Sequence, residues 1–125
     1  MTVKTDKPSQ LRVLVTAGAS GIGRVIAESF AQTGARLHIC DIADAALGEA
    51  KKTHPTWGVS RCDVSQSDQV AGLFEEVGNN FGGLDVLINN AGIAGPTGGV
   101  EEITADDLRR TVDINLNGQF YCANR

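Results

Sequence analysis

The sequence is poor in the features that mark nucleic-acid-binding, disulfide-rich and membrane proteins. Its 11 Lys and Arg residues are fewer than its 15 Asp and Glu and are scattered along the chain, which argues against a nucleic acid partner. No run of about 18 apolar residues occurs. The first ten residues, MTVKTDKPSQ, are polar and lack the apolar stretch of a signal peptide. We therefore expect a cytoplasmic protein that binds neither nucleic acid nor membranes.

Cysteine and histidine are also scarce. Cys40, Cys62 and Cys122 form no CxxC motif and no Cys/His cluster, so neither a disulfide framework nor a metal site is predicted. Each cysteine is expected to pack as a small hydrophobic residue. His38 and His54 have no companion in the sequence that would make either of them a ligand or a base.

What the chain does contain is enough apolar sequence for one domain. Hydrophobic residues make up 42% of its 125 residues, a length that suits one core but not two. We predict a disordered tail over residues 1–10 and a single domain over residues 11–125.

Four short apolar runs alternate with segments of helical periodicity. The predicted strands span 11–16, 35–41, 57–63 and 84–89. The predicted helices run from Ile22 to about 33, then over 43–52, 66–81 and 104–125, and residues 90–99 are predicted to form a loop. Gly34 suits a left-handed helix end, and Ser65 and Thr104 are predicted helix caps.

This alternation predicts an α/β fold, a doubly wound parallel sheet of the Rossmann type. Crossovers of this length are almost always right-handed, so we expect four strands in the order 3-2-1-4 with helices on both faces. Such an incomplete sheet leaves one flank of strand 4 without a neighbour. A ligand is expected at the carboxyl ends of the strands, near the switch between strands 1 and 4.

The turn after the first strand is rich in glycine and reads TAGASGIG over residues 16–23. Its small residues would let the backbone approach a pyrophosphate, while free N–H groups at the helix start bind the anionic oxygens. The residues predicted to do this are Gly18, Ser20, Gly21, Ile22 and Gly23. The alternative is an ordinary tight turn.

Asp41 ends the second strand, 18 residues after Gly23. A carboxylate at this place can accept hydrogen bonds from the adenosine ribose hydroxyls and would repel a 2′-phosphate. No Lys or Arg stands at Ser20 or Ile42, from which a cation could reach that phosphate. NAD is therefore predicted rather than NADP, unless Asp41 merely caps the next helix.

From Leu11 to Arg125 the chain resembles the short-chain dehydrogenase/reductase family. The turn is similar to the family's TGxxxGxG motif, with Ala17 where a glycine is usual; Ala can serve there if the backbone needs no positive φ. Asp63 and Val64 are similar to the pair that meets the adenine, although Asp63 could instead cap a helix. Asn89, Asn90, Ala91 and Gly92 resemble the NNAG signature, which stabilises the central sheet and borders the ribose and nicotinamide; an ordinary turn is the alternative.

The last segment, from Asp113 to Gly118, resembles the family's NxxG motif. This resemblance implies that Asn115 belongs to the catalytic set, perturbing the helix and holding a water on the proton relay; a surface Asn is the alternative. The family also uses a Ser and a Tyr followed four positions later by a Lys, which would follow Arg125. Tyr121 and Arg125 share that spacing, but Arg does not readily share a proton, so we expect Tyr121 to be structural.

The resemblance implies an NAD-dependent oxidoreductase that transfers hydride between nicotinamide and an alcohol or carbonyl substrate. The alternatives are a dinucleotide-binding module without turnover and, more remotely, another Rossmann-type enzyme such as a methyltransferase. We expect this chain to be the cofactor-binding half of a longer protein and inactive alone, with a natural short form as the alternative. A homodimer or homotetramer is expected by resemblance, and no metal is expected.

Overall fold

A computed structural model describes residues 10–125. The predicted disordered tail therefore lies outside the described residues, apart from Gln10. The side-chain amide of Gln10 donates a hydrogen bond to the Gly34 carbonyl, 3.1 Å away.

The centre of the fold is a parallel sheet of four strands. The strands are β1 (Arg12–Thr16), β2 (Arg36–Asp41), β3 (Gly58–Arg61) and β4 (Val86–Ile88). They lie in the order β3-β2-β1-β4, so the predicted fold class and strand order are confirmed. β1 pairs with β2 on one side and with β4 on the other, so the strand order reverses between β1 and β4. In folds of this type the ligand binds at such a switch point, at the carboxyl ends of the strands.

Helices cover both faces of this sheet. They are α1 (Gly21–Gln32), α2 (Asp44–Thr53), α3 (Ser67–Phe81), α4 (Ala105–Val112) and α5 (Gly118–Ala123), with a 3₁₀ turn at Val100–Glu102. One core layer joins the sheet to α1 and α2 through Val13, Val15, Ile39 and Leu47. The other joins it to α3 and α5 and contains all three cysteines.

The helix ends confirm two of the three predicted caps. Gly34 has φ +88° just after α1, and Thr104 accepts a hydrogen bond from the Asp107 N–H at 3.1 Å. The prediction for Ser65 is wrong, because Gln66 occupies the cap position of α3. The Ser65 hydroxyl instead donates to Asp63 at 2.7 Å, which takes it away from the helix.

The segment predicted as one helix over 104–125 is interrupted by a π-helical turn. This turn spans Asp113–Asn117, between α4 and α5, and contains Asn115. π-turns of this kind are rare and are often found at functional sites.

The fourth strand is shorter and less buried than predicted. A continuous apolar run suggests a strand covered on both faces, but all three residues of β4 are only half-buried. Within residues 10–125, β4 pairs with β1 alone. None of the described helices is long and apolar enough to cross a membrane.

The histidines have partners that their sequence neighbours do not reveal. The buried His38 ring contacts the Ser60 hydroxyl at 2.7 Å, and this hydroxyl donates to the Glu76 carboxylate. On its other side the His38 ring nitrogen lies 3.4 Å from the Asn80 amide. His54 bonds Glu28 and stacks on Trp57.

Candidate functional site

A cleft of about 410 Å³ lies at the switch between β1 and β4. Its walls come from the start of α1, the end of β2, the segment after β3 and the loop after β4. Nine of the eleven predicted cofactor-binding residues line it: Ser20, Ile22, Gly23, Asp41, Asp63, Val64, Asn90, Ala91 and Gly92. Residues separated by up to 72 positions in the sequence thus share one site.

Gly18 and Gly21 do not line this cleft, and each has a different structural reason for being glycine. At Gly18 a Cβ would lie 2.7 Å from the Ile39 side chain, so the turn could not sit close to β2. The Gly18 N–H is already bonded to the Cys40 carbonyl at 3.1 Å. Gly21 has φ +58° and faces open space, so its need for glycine is conformational.

Gly23 allows α1 to pack tightly against the loop that follows β4. A Cβ on Gly23 would overlap both the Ala17 carbonyl oxygen and the Asn90 side-chain amide. This close approach brings the start of α1 to the floor of the cleft.

Ala17 adopts a conformation that its side chain disfavours. Its φ is +51°, and it is the one non-glycine residue between 10 and 125 with positive φ. Alanine at this position was expected to be acceptable only if no positive φ was needed, and that condition is not met. The left-handed backbone costs a residue with a Cβ about 1–2 kcal/mol.

The start of α1 offers hydrogen-bond donors to the cleft. The first N–H of α1 to bond a carbonyl of the preceding turn is that of Arg24, which donates to Ser20 at 3.2 Å. The N–H groups of Gly21, Ile22 and Gly23 come before it, at the positive end of the helix dipole. This donor set fits the diphosphate of a dinucleotide.

The Asp41 carboxylate lies at the end of β2, on the edge of the cleft. One oxygen accepts from the Ala19 N–H at 3.2 Å, and the other accepts from the N–H groups of Ile42 and Ala43. The cap position of α2 is Ala43, so the alternative that Asp41 caps this helix is wrong. Asp41 instead links the glycine-rich turn to β2 through its hydrogen bond with Ala19. Its carboxylate has further lone pairs that can accept hydrogen bonds from a ligand.

Asp63 and Val64 form the wall beyond β3. The Asp63 carboxylate accepts from both the N–H and the hydroxyl of Ser65, at 3.0 and 2.7 Å, and does not cap α3. Val64 is in close contact with α5, because a Cβ on Gly118 would lie 2.8 Å from the Val64 side chain. Gly118 therefore lets the last helix approach this wall.

Thr16 joins the two strands on either side of the switch. Its hydroxyl accepts from the N–H groups of Asn90 and Ala91, both at 2.9 Å, and lies 3.3 Å from the Ile88 carbonyl. The Asn90 amide donates to the carbonyls of Thr16 and Ala17. The sheet-stabilising role implied for Asn90 is thus visible. The role of Thr16 was not predicted, although Thr16 is the first residue of the segment similar to TGxxxGxG and that position could have indicated it.

Asn115 does not line the cleft but fixes the loop that does. Its side-chain oxygen accepts from the Ile93 N–H at 2.8 Å, and its amide donates to the Ile93 carbonyl at 2.7 Å. The surface alternative is wrong, because the side chain is half-buried and both of its polar atoms are bonded. Asn115 therefore holds the loop after β4 against the π-turn, and its place in the catalytic set stays a prediction.

Six further lining residues were not predicted: Ala17, Ile42, Cys62, Ile93, Arg110 and Ile114. Among these, Arg110 and Ile114 belong to α4 and the π-turn that follows it. They lie four positions apart, with Gly118 four further on, so the spacing could have indicated one face of a helix turned to the cleft. Tyr121 does not line the cleft and packs with the core of α3 and α5, as expected for a structural residue.

The cysteines behave as small core residues, all with at most 2% of their surface exposed. Burial, with a smaller contribution from Cys62, raises the pKa of Cys122 to about 11. Its thiol therefore stays protonated at neutral pH, in keeping with its apolar surroundings.

Comparison with known proteins agrees with this geometry. A family model described as enoyl-(acyl carrier protein) reductase matches residues 16–125. A short chain dehydrogenase from Bacillus anthracis has a structure similar to 91% of this chain, with a TM-score of 0.84 and 31% identity. This chain belongs to the short-chain dehydrogenase/reductase family.

Curated relatives in this family are named as dehydrogenases. A 3beta-hydroxysteroid dehydrogenase of Mediterraneibacter gnavus is 38% identical in an alignment 114 positions long, which covers 88% of this chain and 41% of the relative. A 2-dehydro-3-deoxy-L-rhamnonate dehydrogenase (NAD(+)) of Sphingomonas is 37% identical over 87% of this chain and 44% of its own length. The chain thus spans less than half of these relatives, and 48% of the Bacillus anthracis protein.

Proposed function

We propose that this short-chain dehydrogenase/reductase chain forms the cofactor-binding part of an NAD-dependent oxidoreductase acting on an alcohol or carbonyl substrate. The observation that carries the proposal is the Asp41 carboxylate, held at the edge of the cleft by three backbone N–H groups. Support for NAD also comes from a relative named as an NAD(+) enzyme. Bound NAD would supply the hydride acceptor or donor.

Charge favours NAD over NADP at this position. An Asp41 carboxylate can accept hydrogen bonds from two ribose hydroxyls, but it repels a phosphate on the same ribose. The neighbouring positions Ser20 and Ile42 bring no positive charge to offset this repulsion.

The other lining residues suit the remaining parts of the dinucleotide. The N–H groups at the start of α1 would bind the diphosphate, and Asp63 with Val64 would border the adenine. Asn90, Ala91 and Gly92 would border the nicotinamide side, where the bonds of Asn115 to Ile93 keep the loop in place.

The test is to titrate the full-length protein with NADH and NADPH and to follow cofactor fluorescence. We expect tighter binding of NADH, and we expect Asp41→Asn to reduce the preference at least about tenfold, equivalent to about 1.4 kcal/mol. Asp44→Asn is the matched control, because Asp44 pairs with Arg61 and does not line the cleft. Tighter binding of NADPH by the unchanged protein would overturn the assignment.

A dinucleotide-binding module without turnover would pass this binding test. Adding a panel of secondary alcohols with NAD, or of ketones with NADH, separates the two, because only an oxidoreductase changes the absorbance of the cofactor.

We also propose a homo-oligomer assembled through α4 and α5. Four apolar residues on this segment are 37–64% exposed: Leu108, Val112, Leu116 and Phe120. An apolar stripe of this kind, on a helix that packs between subunits in the family, suits an isologous contact. A cytoplasmic location stays a prediction.

A further inference from the structure

One positive charge faces the cofactor cleft. Among the lining residues described by the structure, Arg110 is the one Lys or Arg, and the same cleft is lined by two carboxylates, Asp41 and Asp63. Both carboxylates already accept backbone N–H groups and form no ion pair with it. Arg110 therefore has no ionic partner among the described residues that line the cleft.

The adjacent arginine behaves differently. Arg109 pairs with Asp106, one turn earlier in α4, at 2.7 Å. For Arg110, no carboxylate within residues 10–125 lies at ion-pair distance. Its guanidinium and its five N–H donors are thus available to a ligand in the cleft.

The helix that carries Arg110 forms the wall on the adenine side. Ile114 lines the cleft one turn after Arg110, and Gly118, a further turn on, contacts Val64. The donors suited to a diphosphate lie on another element, at the start of α1. Arg110 therefore lines the cleft together with two apolar residues, Val64 and Ile114, whose side chains suit contact with a flat ring.

On the basis of the proposed function, we propose that Arg110 closes the adenine end of the cleft by stacking its guanidinium plane on the adenine ring. A planar cation stacks on an aromatic face and is weakly hydrated, which suits a partly exposed rim. Arg110 then contributes to affinity for any ligand that carries adenosine, and not to the nicotinamide half.

The experiment compares Arg110→Gln with the unchanged full-length protein, using NADH, ADP-ribose and nicotinamide mononucleotide as probes in calorimetric titrations. We expect the variant to lose about two- to tenfold in affinity for NADH and, by the same factor, for ADP-ribose. Affinity for nicotinamide mononucleotide should not change. Arg109→Gln removes the same charge from the next position and should leave all three affinities unchanged.

Three results would overturn the inference. The first is equal NADH affinity in Arg110→Gln and the unchanged protein. The second is full NADH affinity in Arg110→Lys, because lysine has the charge without a planar face. The third is a larger loss of affinity for NADPH than for NADH in Arg110→Gln. The last would mean that Arg110 reads a 2′-phosphate. Failure of the unchanged protein to bind NADH would instead refute the proposed function, so the two failures can be told apart.

Discussion

At the scale of single residues, the glycine-rich turn shows that one methyl group, that of Ala17, can strain the backbone of a turn that otherwise uses glycine. Ala17 takes φ +51° where its family has glycine, while Gly18, Gly21 and Gly23 each meet a packing or backbone requirement. The turn thus keeps its shape at the expense of strain in one residue.

This strain predicts that Ala17→Gly stabilises the protein. Relief of the left-handed strain, about 1–2 kcal/mol, exceeds the extra chain entropy of glycine in the unfolded state, about 0.4–1 kcal/mol. We expect the free energy of unfolding, measured with urea, to rise by up to about 1.6 kcal/mol. Ala19→Gly, at a buried site without positive φ, is the control and should lower it; a decrease for Ala17→Gly would contradict the prediction.

At the scale of secondary structure elements, a chain of polar groups joins β2, β3 and α3. Asn80 donates to one His38 nitrogen, the other donates to Ser60, and Ser60 donates to Glu76. This order of donors requires a neutral His38 ring with its proton on Nε2. Protonation of His38 Nδ1 would turn this nitrogen into a donor, and the Asn80 amide N–H would lose its acceptor.

Stability should therefore fall in acid. Burial lowers the pKa of His38 below its ordinary value of 6.5, against the opposing charge of Glu76. Below pH 6.5 the unfolded chain gains a proton that the folded chain does not take up, so the free energy of unfolding falls by at most about 1.4 kcal/mol per pH unit, until the folded pKa is reached.

Urea unfolding at pH 7.5, 6.5 and 5.5 measures this slope. His38→Gln should flatten it, whereas His54→Gln, which leaves the buried network intact, should preserve it. An unchanged slope in His38→Gln would show that other groups cause the acid sensitivity.

At the scale of the whole molecule, the proposed oligomer depends on the apolar stripe along α4 and α5. Leu116 is 64% exposed in the single chain. An isologous interface uses the same surface of both subunits, so it would bury this side chain in each of them. We expect Leu116→Asp to shift the full-length protein to a smaller species in sedimentation velocity. Val100→Asp, at an 85% exposed position outside the helix, should keep the original size; an unchanged protein that is monomeric at every concentration would refute the oligomer.

By itself, the sequence determined the order of the strands and most of the cleft. Apolar patterns indicate the strands and helices, and right-handed crossovers permit few topologies, so the ends of β1, β2 and β4 are expected to converge without further information. Gly23, Asp41 and Asn90 could be placed because each lies at the end of a strand or shortly after one, and so at the carboxyl edge of the sheet.

Only the tertiary structure decided which groups contact one another across elements. Several contacts join residues that are distant in sequence: the Thr16 hydroxyl with Asn90, the Asn115 side chain with Ile93, and the His38 network. The presence of Arg110 in the lining of the cleft is a further example. A side chain's chemistry is visible in the sequence, but its partner depends on strand register, helix rotation and the π-turn. These are set by packing of the whole domain, and no local pattern reports them.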